Sequence, residues 1–435
     1  MSQVFFIFLL LLATLIRLPL SILIVVLRPL VPFFKKRLNF ERQNFLEEEC
    51  RSFKKDNLKA DYCFEISSEG ELEQVRPLIE AVLKSEKKVE IIYSSPSVEV
   101  KCHNLYKSHP ELIRLFRLPL LSASPVNILY FQSVWEWVSA PVVVFCRYDF
   151  FPELLTLKLF KKKFILVSGA FKKTSWFKLQ SFMCFDVVIA ATDKEKENFT
   201  KLFSGTPKKV FSCDFRVPRI TARMQKAAEV LAQKDVLTTY IDVLKALPAD
   251  QKIILGSAWP SDMPILKDEK LIAAIREKKL HLLIAPHKLD DEFVLRLKQS
   301  CIELFGEENV GVVNNQTTYT HHPVVILQMG GVLCELYSLF SLSYVGGGYE
   351  RSIHSVLEPF VSNNAVVVGP KVGRSTEYDL ASSLLPDEIH VLNRADSFYT
   401  IKESMNLETL NRSKREELRV ESAREMKAVI AELLG

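Results

Sequence analysis

The sequence predicts an α/β protein of two doubly wound, Rossmann-like domains facing a cleft, preceded by an apolar membrane-anchor helix. Three features predict it. From residue 60 onward, short and continuously apolar runs alternate with longer amphipathic patterns, as in parallel sheets covered by helices on both faces. A mostly helical stretch at 219–247 interrupts the alternation, which then starts again. At 435 residues the chain exceeds one ordinary core, so two domains and an appendage fit its length.

The first element is "VFFIFLLLLATLIRLPLSILIVVLRPLVPFF" (4–34), apolar apart from Arg17 and Arg28. About 20 apolar residues span a bilayer. Met1 to Gln3 carry no Lys or Arg and no A-x-A site follows, which argues against a cleaved signal peptide. The basic residues Arg28, Lys35, Lys36 and Arg37 come late in the run or after it, which keeps the remaining chain cytoplasmic by the positive-inside rule. Arg17 is costly at the membrane centre, so an anchor that spans and one that lies in a single leaflet both stay open. The anchor is placed at 1–38.

The first domain, 39–218, is expected to hold strands at 60–66, 88–95, 140–148, 163–169 and 186–192. "GELEQVRPLIEAVLKSE" is an amphipathic helix after the first of them. The second domain, 219–435, repeats the pattern with strands at 251–257, 279–286, 324–329, 342–347 and 365–370, and ends in a charged helix. Ligands of open α/β sheets sit at the carboxyl ends of strands. With two such domains, the cleft between them is the expected active site.

Net charge is +5, mild enough to favour an anionic surface as partner without requiring nucleic acid. Basic runs interleaved with aromatics, "KKR" (35–37), "KLFKKKF" (158–164) and "FKKTSWFK" (171–178), are either solvated faces or a patch for anionic lipid, each basic residue contributing about 1 kcal/mol at a membrane. Eight cysteines show no CxxC and several sit in apolar runs, so free buried thiols are expected rather than disulfides or zinc. No His/Asp/Cys cluster at metal-ligand spacing occurs, and neither a metal nor a bound cofactor is expected.

The most distinctive stretch is "SYVGGGYERSIHSVLEPF" (343–360): a strand, the glycines Gly346, Gly347 and Gly348, a polar loop and a helix start. Glycines there let a backbone approach a ligand, and a helix N-terminus attracts phosphate; a tight strand-to-helix turn is the alternative. The pattern is neither a Walker A loop nor G-x-G-x-x-G, so nucleotide hydrolysis and dinucleotide binding lose their usual support. Ser257, Trp259 and His287 follow strands of the same domain, and Arg216 lies near the junction, suited to a donor's carboxylate or phosphate. His287 also fits a satisfied structural polar residue. In the first domain Glu71, in "SSEGE", follows strand 60–66. It fits a positioned base and equally a capping box with Ser68. Ser94 and Ser95 fit either an acceptor cleft or a turn.

Several blocks together resemble the 3-deoxy-D-manno-octulosonic acid (Kdo) transferases that modify a lipid A precursor. These are "LRPL…KKRLNFERQ", "FEISSEGELEQVRPLI" (64–79), "SSPSVE" (94–99), "RLPLLS" (117–122), "RYDFFPEL" (147–154), "VSGAFKKTSW" (167–176), "ATDKEKENF" (191–199), "DFRV" (214–217), "GSAWPSD" (256–262), "LIAPHKLD" (283–290) and "YVGGGYERSIHSVLEP…VVVGP" (344–370). The resemblance implies the two-domain GT-B glycosyltransferase fold and an inverting transfer of Kdo from CMP-Kdo, in lipopolysaccharide biosynthesis at the cytoplasmic face of the cell inner membrane. It makes Glu71 the general base and gives Asp149 a place on the acceptor side with Ser94 and Ser95. It puts Glu358 on the ribose or cytosine of the nucleotide, with Arg216, Ser257, His287, Gly346 to Gly348, His354 and Ser355 as further donor contacts. The chain departs from the resemblance at Ser355, where an asparagine is usual, at Val332 in place of an acid, and at Ala170 in place of an arginine. Another GT-B nucleotide-sugar transferase or epimerase, or a degenerate lipid-binding paralogue, are the alternatives.

Overall fold

The computed structural model describes residues 5–6, 8–12, 15–16, 19, 23, 27, 31–119, 132–147, 150–171, 175–319, 321–373, 375–393 and 397–435. They form two compact units, Met1–Phe215 with Arg424–Gly435, and Arg216–Ala423. The expected second domain, 219–435, differs from the second unit at its end. The terminal helix Arg412–Leu434 gives its last turns to the first unit, where Val429 and Leu433 are buried in the core and Tyr62 Oη donates to Leu433 O at 2.7 Å.

The first unit holds strands β1 (Tyr62–Ile66), β2 (Val89–Tyr93), β3 (Ile113–Arg117), β4 (Val142–Cys146), β5 (Lys163–Gly169), β6 (Val187–Ala190) and β7 (Lys209–Ser212). They form one parallel sheet, β3-β2-β1-β4-β5-β6-β7. The second unit holds β8 (Lys252–Ala258), β9 (His281–Pro286), β10 (Val310–Asn314), β11 (Val324–Gln328), β12 (Leu342–Val345), β13 (Ala365–Val368) and β14 (Ile389–Val391), again all parallel, in the order β10-β11-β9-β8-β12-β13-β14. Apolar clusters cover both faces of each sheet.

The ten strands expected from sequence are the five inner strands of each sheet. The four missed, β3, β7, β10 and β14, are the sheet edges. An inner strand is buried on both faces and reads as an unbroken apolar run, whereas an edge keeps one side in water. No residue of β7 is fully buried, and in β14 only Ile389 is. β3 was hidden differently. Its arginines look exposed, yet Arg117 is 1% accessible and paired with Glu47 and Glu99.

The strand order reverses between β1 and β4 in the first unit and between β8 and β12 in the second, where β10 also lies outside β11 at the edge. Such switch points open a crevice at the carboxyl ends of the two diverging strands.

The basic runs are turned partly inward. Arg37 donates to the carbonyls of Ser94 and Leu118 (2.7 Å for the latter), clasping the ends of β2 and β3. Lys158 pairs with Asp186, and Lys162 reaches Ala140 O. Lys35, Lys36 and Lys161 are exposed; Lys172 and Lys173 lie outside the described residues. Among the described residues no helix is long and apolar enough to cross a membrane; much of 1–30, Arg17 and Arg28 included, lies outside them. Phe6 is buried in the first unit's core, while Leu11, Leu15, Ile16 and Phe33 are exposed. All eight cysteines are buried and free of disulfides, and burial pushes the Cys301 thiol up to about 12.

Arg415 pins the helix Leu357–Val361. Its guanidinium, fully buried, donates to Phe360 O (2.7 Å) and Asn364 O (2.8 Å), and pairs with Glu388. Replacing Arg415 by Met leaves those acceptors unpaired in a low-dielectric site and is expected to cost about 3 kcal/mol. A urea midpoint for the second unit that stays at the wild-type value would contradict it.

Candidate functional site

In the first unit the β1/β4 switch point carries Glu71. Ser68 ends the extended segment after β1 and caps the helix Glu69–Lys84, its Oγ accepting from the Glu71 N–H at 3.3 Å. Glu71 reaches back, and its Oε2 accepts from the Ser67 N–H at 2.6 Å. The reciprocal cap is thus present, one residue further back than the usual box, and the carboxylate is 4% exposed. Ser94 N–H donates to Ile66 O, so Ser94 adjoins the same strand end. Ser95 caps the following turn through the Ser97 N–H. Asp149 lies outside the described residues.

Sequence gave no hint of two neighbours. Arg147, just past β4, and Ser168, in β5, have φ of +63° and +55°, a left-handed conformation rare for residues with a side chain. Arg147 Nε donates to Gln74 Oε1 at 3.2 Å. Ser168 sits at a register shift between β5 and β6, its hydroxyl buried without a hydrogen-bond partner among the described residues. Strain and an unsatisfied polar group at strand carboxyl ends are features that concentrate at functional sites.

In the second unit the β8/β12 switch point carries most of the residues expected to contact the donor. β8 shifts register between Leu255 and Ala258, with Ser257 at φ +51°. This bulge meets the glycine run directly: a Cβ on Gly346 would fall 2.3 Å from Ser257 O. Gly347 has φ +91°, and a Cβ on Gly348 would fall 2.5 Å from Gly369 Cα. Contacts within the unit therefore account for all three glycines. The turn is held by Asp262, whose fully buried carboxylate accepts from Trp259 N (2.9 Å), Gly347 N (3.1 Å) and Tyr344 Oη (2.8 Å). Burial nonetheless raises its carboxyl above the ordinary range, despite these donors and with a small push from Glu350. Sequence alone did not single out Asp262; only its place three residues after Trp259, at a strand end, could have flagged it.

Above this turn three rings assemble. His287 stacks on Trp259 (centroids 4.5 Å) and on His354 (4.1 Å), while Trp259 Nε1 donates to His354 Nε2 at 2.9 Å. That bond places the imidazole proton on Nδ1. Burial, then the neighbouring His287, lower His354 to about 4, against a smaller opposing effect of Glu377. Burial and Lys288 also lower His287.

The helix after the glycines starts at Leu357 and spans only five residues. Its first amide is already engaged: Leu357 N–H and Ser355 Oγ both donate to Glu377 Oε2 (3.2 and 2.9 Å), and Arg216 Nη1 donates to Glu377 Oε1 (2.8 Å). Glu358 lies 3.7 Å from Arg223, which is bidentate on Glu335 at 2.8 Å. Val332 is fully buried among apolar side chains and Ala170 is buried. Among the described residues the metal-ligating types converge at Glu47, Glu49 and His103, where the Arg117 guanidinium, 2.6 Å from Glu47, already supplies positive charge.

No protein-family model matches the chain. Among curated proteins it is similar to 3-deoxy-D-manno-octulosonic acid transferases: 25% identical to that of Chlamydophila psittaci over 173 residues (38% of this chain, 37% of the relative). It is 22% identical to that of Chlamydia trachomatis serovar A over 254 residues (55% of each), and 19% identical to that of Rickettsia felis over 280 residues (62% and 56%). The matches thus span about half or less of these relatives' lengths. Among solved structures it resembles the UDP-GlcNAc 2-epimerase of Methanocaldococcus jannaschii (TM-score 0.56, 12% identity, 83% of this chain and 99% of that one). It also resembles a glycosyltransferase of Rickettsia africae (TM-score 0.51, 10% identity, 86% and 97%). At these identities the likeness establishes a shared two-sheet α/β fold.

Two outcomes test this geometry. Asp262→Asn sets an amide donor against the backbone donors of the glycine turn and is expected to cost about 2–3 kcal/mol, measured by chemical denaturation. Because His354 is held neutral in the fold, the unfolded chain binds the extra proton as pH falls from its ordinary 6.5 toward 4. Stability should therefore drop by about 1–2 kcal/mol between pH 7 and pH 5. His354→Gln, which keeps an acceptor for Trp259, should flatten that slope; an unchanged slope would refute the assignment.

Proposed function

We propose that the chain is a glycosyltransferase that moves Kdo from CMP-Kdo to a hydroxyl of a lipid A precursor. The observation that carries it is the sequence similarity to Kdo transferases from several bacteria, the longest stretch covering 62% of this chain. The fold is compatible with it, since the structures it resembles include a UDP-GlcNAc 2-epimerase and a glycosyltransferase. So is the placement of polar groups at both switch points.

In the proposed reaction the acceptor oxygen attacks the anomeric carbon as that carbon's bond to the CMP phosphate breaks. The configuration inverts, CMP leaves with the electron pair, and the hydroxyl proton passes to Glu71. Ser94 and Ser95, with Asp149, border the acceptor. In the second unit the glycine turn, Ser257, His287, His354, Ser355 and Glu358 hold the nucleotide, and Arg216 meets its anionic part, stabilising charge that grows as CMP departs. No bound metal or cofactor takes part. The apolar N-terminal run and its exposed Leu15, Ile16 and Phe33 suit an anchor in the inner membrane, with both units on the cytoplasmic face and anionic lipid near Lys35 and Lys36.

The likeness to UDP-GlcNAc 2-epimerases favours a second reading, an enzyme acting on a UDP-sugar. Thermal-shift screening against CMP, UDP and GDP separates the two. For the transferase, incubation with CMP-Kdo and lipid A precursor followed by mass spectrometry should show a Kdo-bearing lipid. Glu71→Gln and Glu71→Ala should lower turnover by 10²-fold or more, roughly the range of general-base catalysis, and near-normal turnover in either would exclude Glu71 as the base.

A further inference from the structure

Glu377 occupies a place that needs explaining. It stands in the first turn of the helix Thr376–Leu384, where an acid ordinarily faces its own helix's free amides. Ser375 already caps that helix through the Tyr378 N–H. Glu377 instead reaches away, and its two oxygens collect one donor from each of three other positions: Arg216, Ser355 and Leu357. Arg216 is itself held, its Nη2 donating to Thr376 Oγ1 at 3.2 Å. A guanidinium, a hydroxyl and a backbone N–H converging on two oxygens form a seat for an oxyanion.

The seat lies beside the ring stack, close enough for the Glu377 charge to act on His354, the residue before Ser355. It remains near the surface, with the Glu377 side chain 12% exposed and that of Arg216 9%.

We propose that Glu377 is a resident stand-in for the ligand's anion, and that the anionic group of the incoming molecule takes the seat by displacing it. The identity of that molecule rests on the nucleotide-sugar reading above; the seat itself does not. An internal carboxylate that must leave lowers apparent affinity by the fraction of time it is away, so the free protein binds its ligand more weakly than the contacts allow. It also screens ligands. A neutral nucleoside gains nothing by displacing a carboxylate from Arg216, whereas a phosphate or sugar carboxylate replaces one charge-assisted pair by another. The competing role is a strut, in which Glu377 merely holds Arg216 and the Ser355–Leu357 segment in position.

The two roles predict opposite signs. Calorimetric titration of the full chain with CMP should give a Kd about tenfold lower for Glu377→Gln than for wild type, with no tightening toward cytidine. Glutamine still accepts from the Leu357 N–H, so the segment keeps its position. The double variant Glu377→Gln/Arg216→Gln should lose the gain. Equal or weaker CMP binding by Glu377→Gln overturns the proposal in favour of the strut. If neither protein binds CMP, the nucleotide reading is what has failed, and inorganic phosphate then judges the seat. A melting temperature that rises with phosphate in Glu377→Gln but not in wild type supports the stand-in, and identical responses overturn it.

Discussion

The buried carboxylate of Asp262 is the constraint on which the second unit's site depends. A carboxylate removed from water is costly unless its oxygens are hydrogen-bonded, and here three donors converge on it, two from backbone and one from Tyr344. Those donors belong to different strands at the switch point. Trp259 N follows β8, Tyr344 Oη projects from β12, and Gly347 N sits in the turn beyond. Asp262 thereby ties the bulged end of β8 to the glycine run. Because Trp259 is fixed on the β8 side, its indole N–H is held in register with His354, whose backbone N–H donates to Gly346 O. The ring stack is a consequence of the carboxylate below it.

The first unit uses a related device with less support. At its switch point Glu71 also accepts from a backbone N–H beyond a strand end, but the surroundings are strained, with Arg147 and Ser168 in left-handed conformations and the Ser168 hydroxyl unsatisfied. Such strain costs on the order of 1–3 kcal/mol per residue and persists only where neighbouring structure enforces it. Here the enforcing structure is the inner sheet, β1, β4, β5 and β6, whose alternate faces fill two apolar clusters. Stability is concentrated in the strands, and polar irregularity at their carboxyl ends.

That division explains what could be read from the chain. A strand buried on both sides must be apolar at every position, so the inner strands were visible as runs such as "PVVVF" and "AVVV". Edge strands such as β14, and β3 with its buried, ion-paired Arg117, carry no such mark. The glycine run was visible because glycine is scarce here, but its cause was not: Gly346 and Gly348 are forced by the backbones of Ser257 and Gly369, contacts between residues far apart in sequence. The inward turn of Arg37, Lys158 and Lys162 escaped notice for the same reason, since a lysine's partner 20 or more residues away leaves no local trace. Asp262 and Glu377 look like ordinary loop and helix acids until the fold surrounds them with donors.

Charge bookkeeping in the second unit leads one step further. Asp262, Glu335, Glu358 and Glu377 place four carboxylates near the glycine turn and the segment after it, where an anionic nucleotide is proposed to bind. Two arginines among them, Arg216 and Arg223, are already engaged. Arg223, 25% exposed at its side chain, is bidentate on the 4% exposed Glu335, and that pair is locked by its two-point geometry. Arg216 gives Glu377 a single nitrogen, and Glu377 is the more exposed carboxylate of the two. A bidentate pair is harder to open than a single charge-assisted bond. Of these two arginines, Arg216 is the one whose partner can exchange within the proposed seat, while Arg223 stays in place beside Glu358.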